Sequence, residues 1–151
     1  MARFETTVTV ECPVSRVFDF LIVPENHERL SPPETGLRFV AAPAVIELGT
    51  VLEFKVQNWG MVQHVTHEVI AFEPGARFTE KQIKGPLQLW VHEHEFRTND
   101  AGHAVITDRI DFLPPGGLAR FLVTEAKLLE LLEDGFHYRQ MQLKKLLEGA
   151  P

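Results

Sequence analysis

Between Leu37 and Phe112 the chain is a succession of short runs, about 37–42, 50–57, 62–72, 76–82, 88–98 and 103–112. Turn residues cut them at Pro43, Gly49, Asn58 with Gly60, Pro74-Gly75, Gly85-Pro86 and Asn99 to Gly102. Runs of this length, rich in β-branched and aromatic residues, read as strands, and connections this short make neighbours antiparallel. One more strand opens the chain, because Phe4, Thr6, Val8 and Val10 alternate with Arg3, Glu5, Thr7 and Thr9. Helix is scarce by comparison. Val14, Val17, Phe18 and Leu21 form one apolar face ending before Pro24, and Asn26 to Leu30 adds a turn that Ser31-Pro32-Pro33 stops. Pro114-Pro115-Gly116-Gly117 then halts the sheet, and Leu118 to Glu148 reads as one long helix. Its stripe is Leu118, Phe121, Leu122, Leu128, Leu129, Leu132, Phe136, Leu143, Leu146 and Leu147.

That imbalance constrains everything else. Seven strands at about 4.8 Å spacing make a sheet roughly 33 Å wide, whereas one helix covers only about 10–12 Å of it. The sheet must curl round the helix and leave a hollow, or bury the remainder in a second copy. The expectation is an α+β fold in one domain, 1–151: a curved seven-stranded antiparallel sheet wrapped around a long C-terminal helix, with one or two short helices after the first strand. An internal cavity comes first and a homodimer interface is its competitor.

Charge narrows the partners. Fifteen Lys and Arg against 21 Asp and Glu leave a net charge of −6, and the basic residues form no dense patch, which argues against nucleic acid. No apolar run approaches the roughly 20 residues needed to span a bilayer. Met1 to Val10 does not read as a signal peptide, since Arg3 and Glu5 interrupt it. With Cys12 the only cysteine, no internal disulfide forms, so a cytoplasmic location is expected. Cys12 stands at a helix start with no base nearby and reads as a buried, inert thiol.

The run Phe78-x-Glu80-x-Gln82-x-x-Gly85-Pro86-x-x-x-Trp90-x-His92-x-His94-x-Phe96, followed by Thr107-Asp108 and by Phe136-His137-Tyr138-Arg139, resembles bacterial ligand-binding members of the START-related, helix-grip SRPBCC superfamily. Polyketide cyclase/dehydrases and birch-pollen-allergen-like proteins are more distant relatives. The resemblance spans nearly the whole chain, including Val17-Phe18-x-Phe20 and Asn26 ahead of Ser31-Pro32-Pro33. It implies a deep cavity between sheet and C-terminal helix that accepts hydrophobic or amphipathic small molecules. Two positions depart from the family pattern: Val65 stands where a tryptophan is expected, and Glu80 where the pattern has aspartate. Both alter pocket volume, so ligand size does not carry over.

Strand parity orients the polar residues. In 88–98 one parity is Trp90, His92, His94 and Phe96 and the other is Val91, Glu93, Glu95 and Arg97. The charged set faces water, so the histidines face inward. By the same logic Asp108 faces inward beside Ile106 and Ile110. A loop Asp100-Ala101-Gly102, with Gly102 left-handed, pairs Asn99 with His103 and sets His94 opposite Asp108, Trp90 opposite Phe112 and Phe96 opposite Ile106. At 100° per residue Arg139 falls in the helix stripe, as does Glu125. Glu80, Gln82, His92, His94, Asp108 and Arg139 thus converge, and the cost of burying a lone charge predicts mutual pairing, Arg139 with Asp108 or Glu80 and Asp108 with His94.

Three roles stay open for this network: fixing the helix on the sheet, orienting a ligand, and acid/base catalysis with His94 oriented by Asp108. No metal and no cofactor is expected. His92-x-His94 has a ligand spacing, but Thr98 and Asn99 occupy the positions where a third ligand would follow. The parity of His64 and His67 is unsettled, and His27, His103 and His137 are expected in solvent. The leading function is binding of a hydrophobic or amphipathic small molecule, with Phe54, Phe78, Trp90, Phe112 and Phe136 as apolar wall and the polar cluster as anchor. A cyclase/dehydrase-like enzyme using His94 and Asp108 is the alternative, and an interaction module the third class. Trp90 should sense a cavity ligand more than Trp59.

Overall fold

The computed structural model describes residues 1–58 and 60–149, so the expectation for Trp59 lies outside the described residues. The elements run β1 (Ala2–Val10), α1 (Val14–Leu21), α2 (Pro24–Leu30), β2 (Arg38–Ala41), β3 (Val51–Asn58), β4 (Met61–Glu73), β5 (Arg77–Lys84), β6 (Leu89–Thr98), β7 (Ala104–Leu113) and α3 (Glu125–Leu147). The strands form one open, curved antiparallel sheet in the order β1-β7-β6-β5-β4-β3-β2. β2 to β7 are a meander, and β1 closes onto β7, with Ala2 opposite Phe112 and Val10 opposite Ala104. No helix among the described residues is long and apolar enough to cross a membrane.

The β6–β7 hairpin has the expected register: Trp90 opposite Phe112, His94 opposite Asp108, Phe96 opposite Ile106. Its loop explains this. The Asn99 N–H donates to the His103 carbonyl at 2.9 Å, and Gly102 takes φ = 80°, a conformation that costs glycine least. The Asn99 side-chain oxygen accepts from the N–H groups of Ala101 and His103.

The end of the chain departs from expectation. The helix does not begin at Leu118; a 3-10 turn, Gly117–Phe121, precedes it, and α3 starts at Glu125 with Thr124 as N-cap, whose hydroxyl accepts from the Lys127 N–H at 3.2 Å. Leu118, Phe121 and Leu122, counted in the apolar stripe, are 84%, 66% and 71% exposed. Helical spacing was satisfied there with no surface to bury against. Glu125 too is exposed rather than inward. α2 begins at Pro24, a residue whose fixed φ suits a first helical position, two residues before the expected Asn26.

Two apolar clusters hold the helices on the sheet. Val17, Phe18 and Leu21 of α1 meet Phe78, Phe96 and the α3 residues Leu143 and Leu147. Phe4, Ile110 and Phe112 meet Val123, Leu128 and Phe136 at the other end of α3. Cys12 is buried and free, and burial raises its thiol pKa, as an inert thiol requires. The inward side of β3, β4 and the open end of β5 has no helix of its own above it, and a cavity lies there.

Candidate functional site

The inner faces of β5, β6 and β7 bring Phe78, Glu80, His92, His94 and Asp108 together. Phe78 pairs with His94 and Glu80 with His92 across β5 and β6. The rings form a stack: Phe78 lies on His94 with centroids 4.1 Å apart, and His94 on His92 at 3.7 Å. Asp108 sits opposite His94, yet its hydrogen bond comes from the diagonal neighbour, His92 Nε2 donating to Oδ1 at 2.8 Å. His94 Nδ1 comes within 3.1 Å of the same oxygen, but both His94 ring nitrogens are buried without a well-directed hydrogen bond. The expected Asp108–His94 pairing is therefore an electrostatic contact, and His92 holds the hydrogen bond.

Burial and the stack decide the charge states. Burial first, then the adjacent His92, pull the His94 imidazole down to about 3 against the opposing pull of Asp108. Burial alone would raise Asp108, but the imidazoles of His92 and His94 and the charge of Arg139 outweigh it and hold the carboxyl well below its usual range. Glu80 is likewise driven down, chiefly by His67 and then His94, against the cost of burial. Its Oε1 lies 3.7 Å from His67 Nδ1 and 4.0 Å from His94 Nε2, beyond hydrogen-bond reach of both. The parity question on β4 is thereby resolved: His67 is buried and faces inward against Phe54 at 4.8 Å, and His64 is exposed.

Arg139 is turned inward and half-buried, as expected, but it makes no ion pair within 4.0 Å among the described residues. The anticipated partners Asp108 and Glu80 are engaged with imidazoles instead. Its Nη1 donates to His27 Nδ1 at 3.3 Å, and its plane lies over the Phe136 ring at 5.5 Å. His27, expected in solvent, is thus a site residue. Its Nε2 lies 2.6 Å from the Leu21 carbonyl, which can only accept, so Nε2 carries the proton and Nδ1 offers a lone pair to Arg139. Burial, then Arg139, lower the His27 pKa to about 4, which keeps that tautomer neutral. A second tie, Gln140 Nε2 donating to Thr6 Oγ1 at 3.0 Å, joins α3 to β1.

Beside this cluster is a cavity of about 330 Å³. Phe54, Trp90 and Phe136 supply aromatic wall, and Leu128, Leu131 and Leu132 supply the aliphatic wall from α3. Its polar positions include His27, His67, Gln82, His92 and Arg139, with Ser31, Thr35 and Asn58 also on the wall. Gln82 is held in place, its amide donating to the Leu87 carbonyl at 2.7 Å, and a Cβ at Gly85 would collide with that amide. Of the side chains named from sequence, Phe54, Gln82, Trp90, His92, Phe136 and Arg139 therefore line the space. Phe78, Glu80, His94, Asp108 and Phe112 stand behind the wall, where Phe78 and Phe112 are wholly buried. His27, His67 and Gly135 are wall residues that sequence reasoning did not select. For Gly135 the signal was available: a glycine inside a 23-residue helix is costly, and no packed neighbour requires it, since a Cβ there would meet open space.

A curved antiparallel sheet gripping a C-terminal helix beside an apolar cavity defines the helix-grip, START-related class. The chain belongs to the family described as "Polyketide cyclase / dehydrase and lipid transport", whose match covers residues 1–147. Solved structures agree in fold. Protein CV1439 from Chromobacterium violaceum superposes with a TM-score of 0.76 at 15% identity, over 98% of each chain. The Zhui aromatase/cyclase from a Streptomyces species gives 0.74 at 18%, over 96% of this chain and 92% of that one. A START superfamily protein from Mycobacterium smegmatis gives 0.73 at 11%, over 97% of each. No curated protein matches the sequence.

Proposed function

We infer that the protein binds a hydrophobic or amphipathic small molecule in the cavity between the sheet and α3. The observation that carries this is the cavity itself, about 330 Å³ with aromatic and leucine walls and a few fixed polar groups, at the lower end of the range for drug-sized ligands. The amphipathic part of the reading rests on donors. Trp90 Nε1 and the Nε and Nη2 of Arg139 are buried without partners, and a buried N–H is expensive to leave unpaired. A ligand carrying an acceptor oxygen would satisfy them. The net charge of −6 supports a small molecule over nucleic acid, and the lone buried thiol fits a cytoplasmic location. Native mass spectrometry of protein purified without denaturation tests the reading: a co-purifying organic molecule is expected. Its absence, together with no change in Trp90 fluorescence of a Trp59→Phe variant on titration with fatty acids or polycyclic aromatics, would remove it.

A second reading, proton transfer in a cyclase/dehydrase-like enzyme, is favoured by the Asp108–His92 hydrogen bond, because His92 lines the cavity. The base then is His92 rather than His94, which stands behind the wall with a pKa near 3 and is too weak a base. Turnover of a carbonyl substrate that is abolished by His92→Ala and only reduced by His94→Gln is the expected outcome for that chemistry.

A further inference from the structure

Glu80, His92 and His94 each offer a ligating atom, and those atoms lie within 4.8 Å of one another. We propose that these three side chains form a binding site for a divalent transition metal of the zinc type, behind the cavity wall that His92 lines.

The spacing argues for an ion. His94 Nε2 and Glu80 Oε1 are 4.0 Å apart, too far for a hydrogen bond and tight for a bridging water keeping about 2.8 Å to each. A tetrahedral ion with bonds of about 2.0–2.2 Å sets neighbouring ligand atoms roughly 3.3–3.5 Å apart, so the His94–Glu80 pair needs to close by about half an ångström and no pair by more than about 1.5 Å. The protein already carries an unresolved polar cost at this place, since both nitrogens of the His94 ring are buried without hydrogen-bond partners. Coordination would resolve it.

The donors match the ion class. Two imidazoles and one carboxylate are a set used by zinc sites that keep a position open. Hard calcium or magnesium would require oxygens that are not there. Behind the ligands, Asp108 contacts His92 Nε2 at 2.8 Å and His94 Nδ1 at 3.1 Å, the carboxylate-to-histidine support that orients ligating imidazoles. His67 stands 3.7 Å from Glu80 on the other side. Because His92 also lines the cavity, an ion here would sit next to the space a ligand occupies. Sequence spacing around His92-x-His94 offered no third ligand; the neighbouring strand β5 supplies one.

The test is titration of EDTA-stripped protein with ZnCl2 by calorimetry, with no organic ligand present, and Co2+ absorption as a second readout. One saturable ion per chain is expected. Glu80→Gln and His94→Gln should each weaken it by at least about ten-fold, and Asp108→Asn by about 10–100-fold, while the exposed His64→Ala leaves it unchanged. No saturable binding, or binding that survives Glu80→Gln, overturns the site. If His94→Gln loses its circular dichroism signature, Glu80→Gln and the Co2+ spectrum decide alone. Failure here leaves the small-molecule reading intact, because the two are measured with different probes.

Discussion

The two faces of the β6–β7 hairpin both carry acid–base contacts, under opposite rules. Outside, Arg109 contacts Glu5 at 2.9 Å, Glu93 at 2.8 Å and Glu95 at 3.5 Å, with its side chain 28% exposed. Inside, one residue away on the same strand, Asp108 is 3% exposed and shares its oxygen between two buried imidazoles. Water screens the outer set, so its geometry is worth little in energy. The inner set has no water to fall back on, and each member depends on the others for its charge state. Ion-pair distance alone would rank the two faces as equals; burial separates them.

The largest expected effect tests that separation directly. Asp108→Ala, which leaves two buried imidazoles without their acceptor, should cost about 3–5 kcal/mol in urea unfolding. A loss under about 1 kcal/mol would mean that the interior cluster is as loose as the outer one. Arg139→Leu comes next, at about 1–3 kcal/mol, because the guanidinium loses its bond to His27 but breaks no close ion pair. Recovery of full stability by this substitution would show that Arg139 serves the ligand only.

Acidity sharpens the contrast without mutation. His27 and His94 have folded-state pKa values lowered from 6.5 to about 4 and about 3, so the unfolded chain takes up protons there that the folded protein refuses. The groups facing His27 are Arg139, Glu80 and His92. Stability should therefore be complete above pH 6.5 and fall as pH drops from 6.5 towards 4. The outer carboxylate Asp111, lowered by Arg3, withdraws its contribution only below its ordinary value of 3.8. Denaturation at pH 7 and at pH 4.5 reads the interior, and a flat profile between them would contradict neutral, buried imidazoles.

Gly135→Ala is a smaller change in the opposite direction. It should stabilise α3 by about 1 kcal/mol, since the added methyl meets open space, while weakening ligand binding by intruding on the cavity. Thermal melting with and without the co-purified molecule separates the two. Arg109→Ala closes the series at about 1 kcal/mol or less, shrinking further in high salt.

What could be read from the chain was local. The hairpin register followed from Asn99 and Gly102, because turn geometry sets register and register sets every opposing pair. The inward set Trp90, His92, His94 and Phe96 followed from a clean alternation against charged neighbours. Where alternation failed, so did the reading. On β4 both parities mix apolar and polar residues, and register shifts between Thr66 and His67 and between Val69 and Ala71 break the period, which hid His67. Thr124 ahead of Glu125 was a capping signal for α3 that the leucine and phenylalanine spacing of 118–122 obscured.

The meander of β2 to β7 and a sheet too wide for its one long helix were thus legible in the sequence itself, since period, turns and the ratio of sheet to helix are properties of neighbouring residues; the pairing of β1 with β7, and a hollow rather than a covered face, were decided by the tertiary structure. Which polar groups meet was decided only in three dimensions. His27 reaches Arg139 from 112 positions away, Glu80 approaches His94 from the adjoining strand, and Arg139 is left without the carboxylate that simple charge matching would assign it. Pairing inside a protein goes to the groups whose polar atoms the sheet and helices bring within about 3 Å, and no one-dimensional pattern encodes that distance.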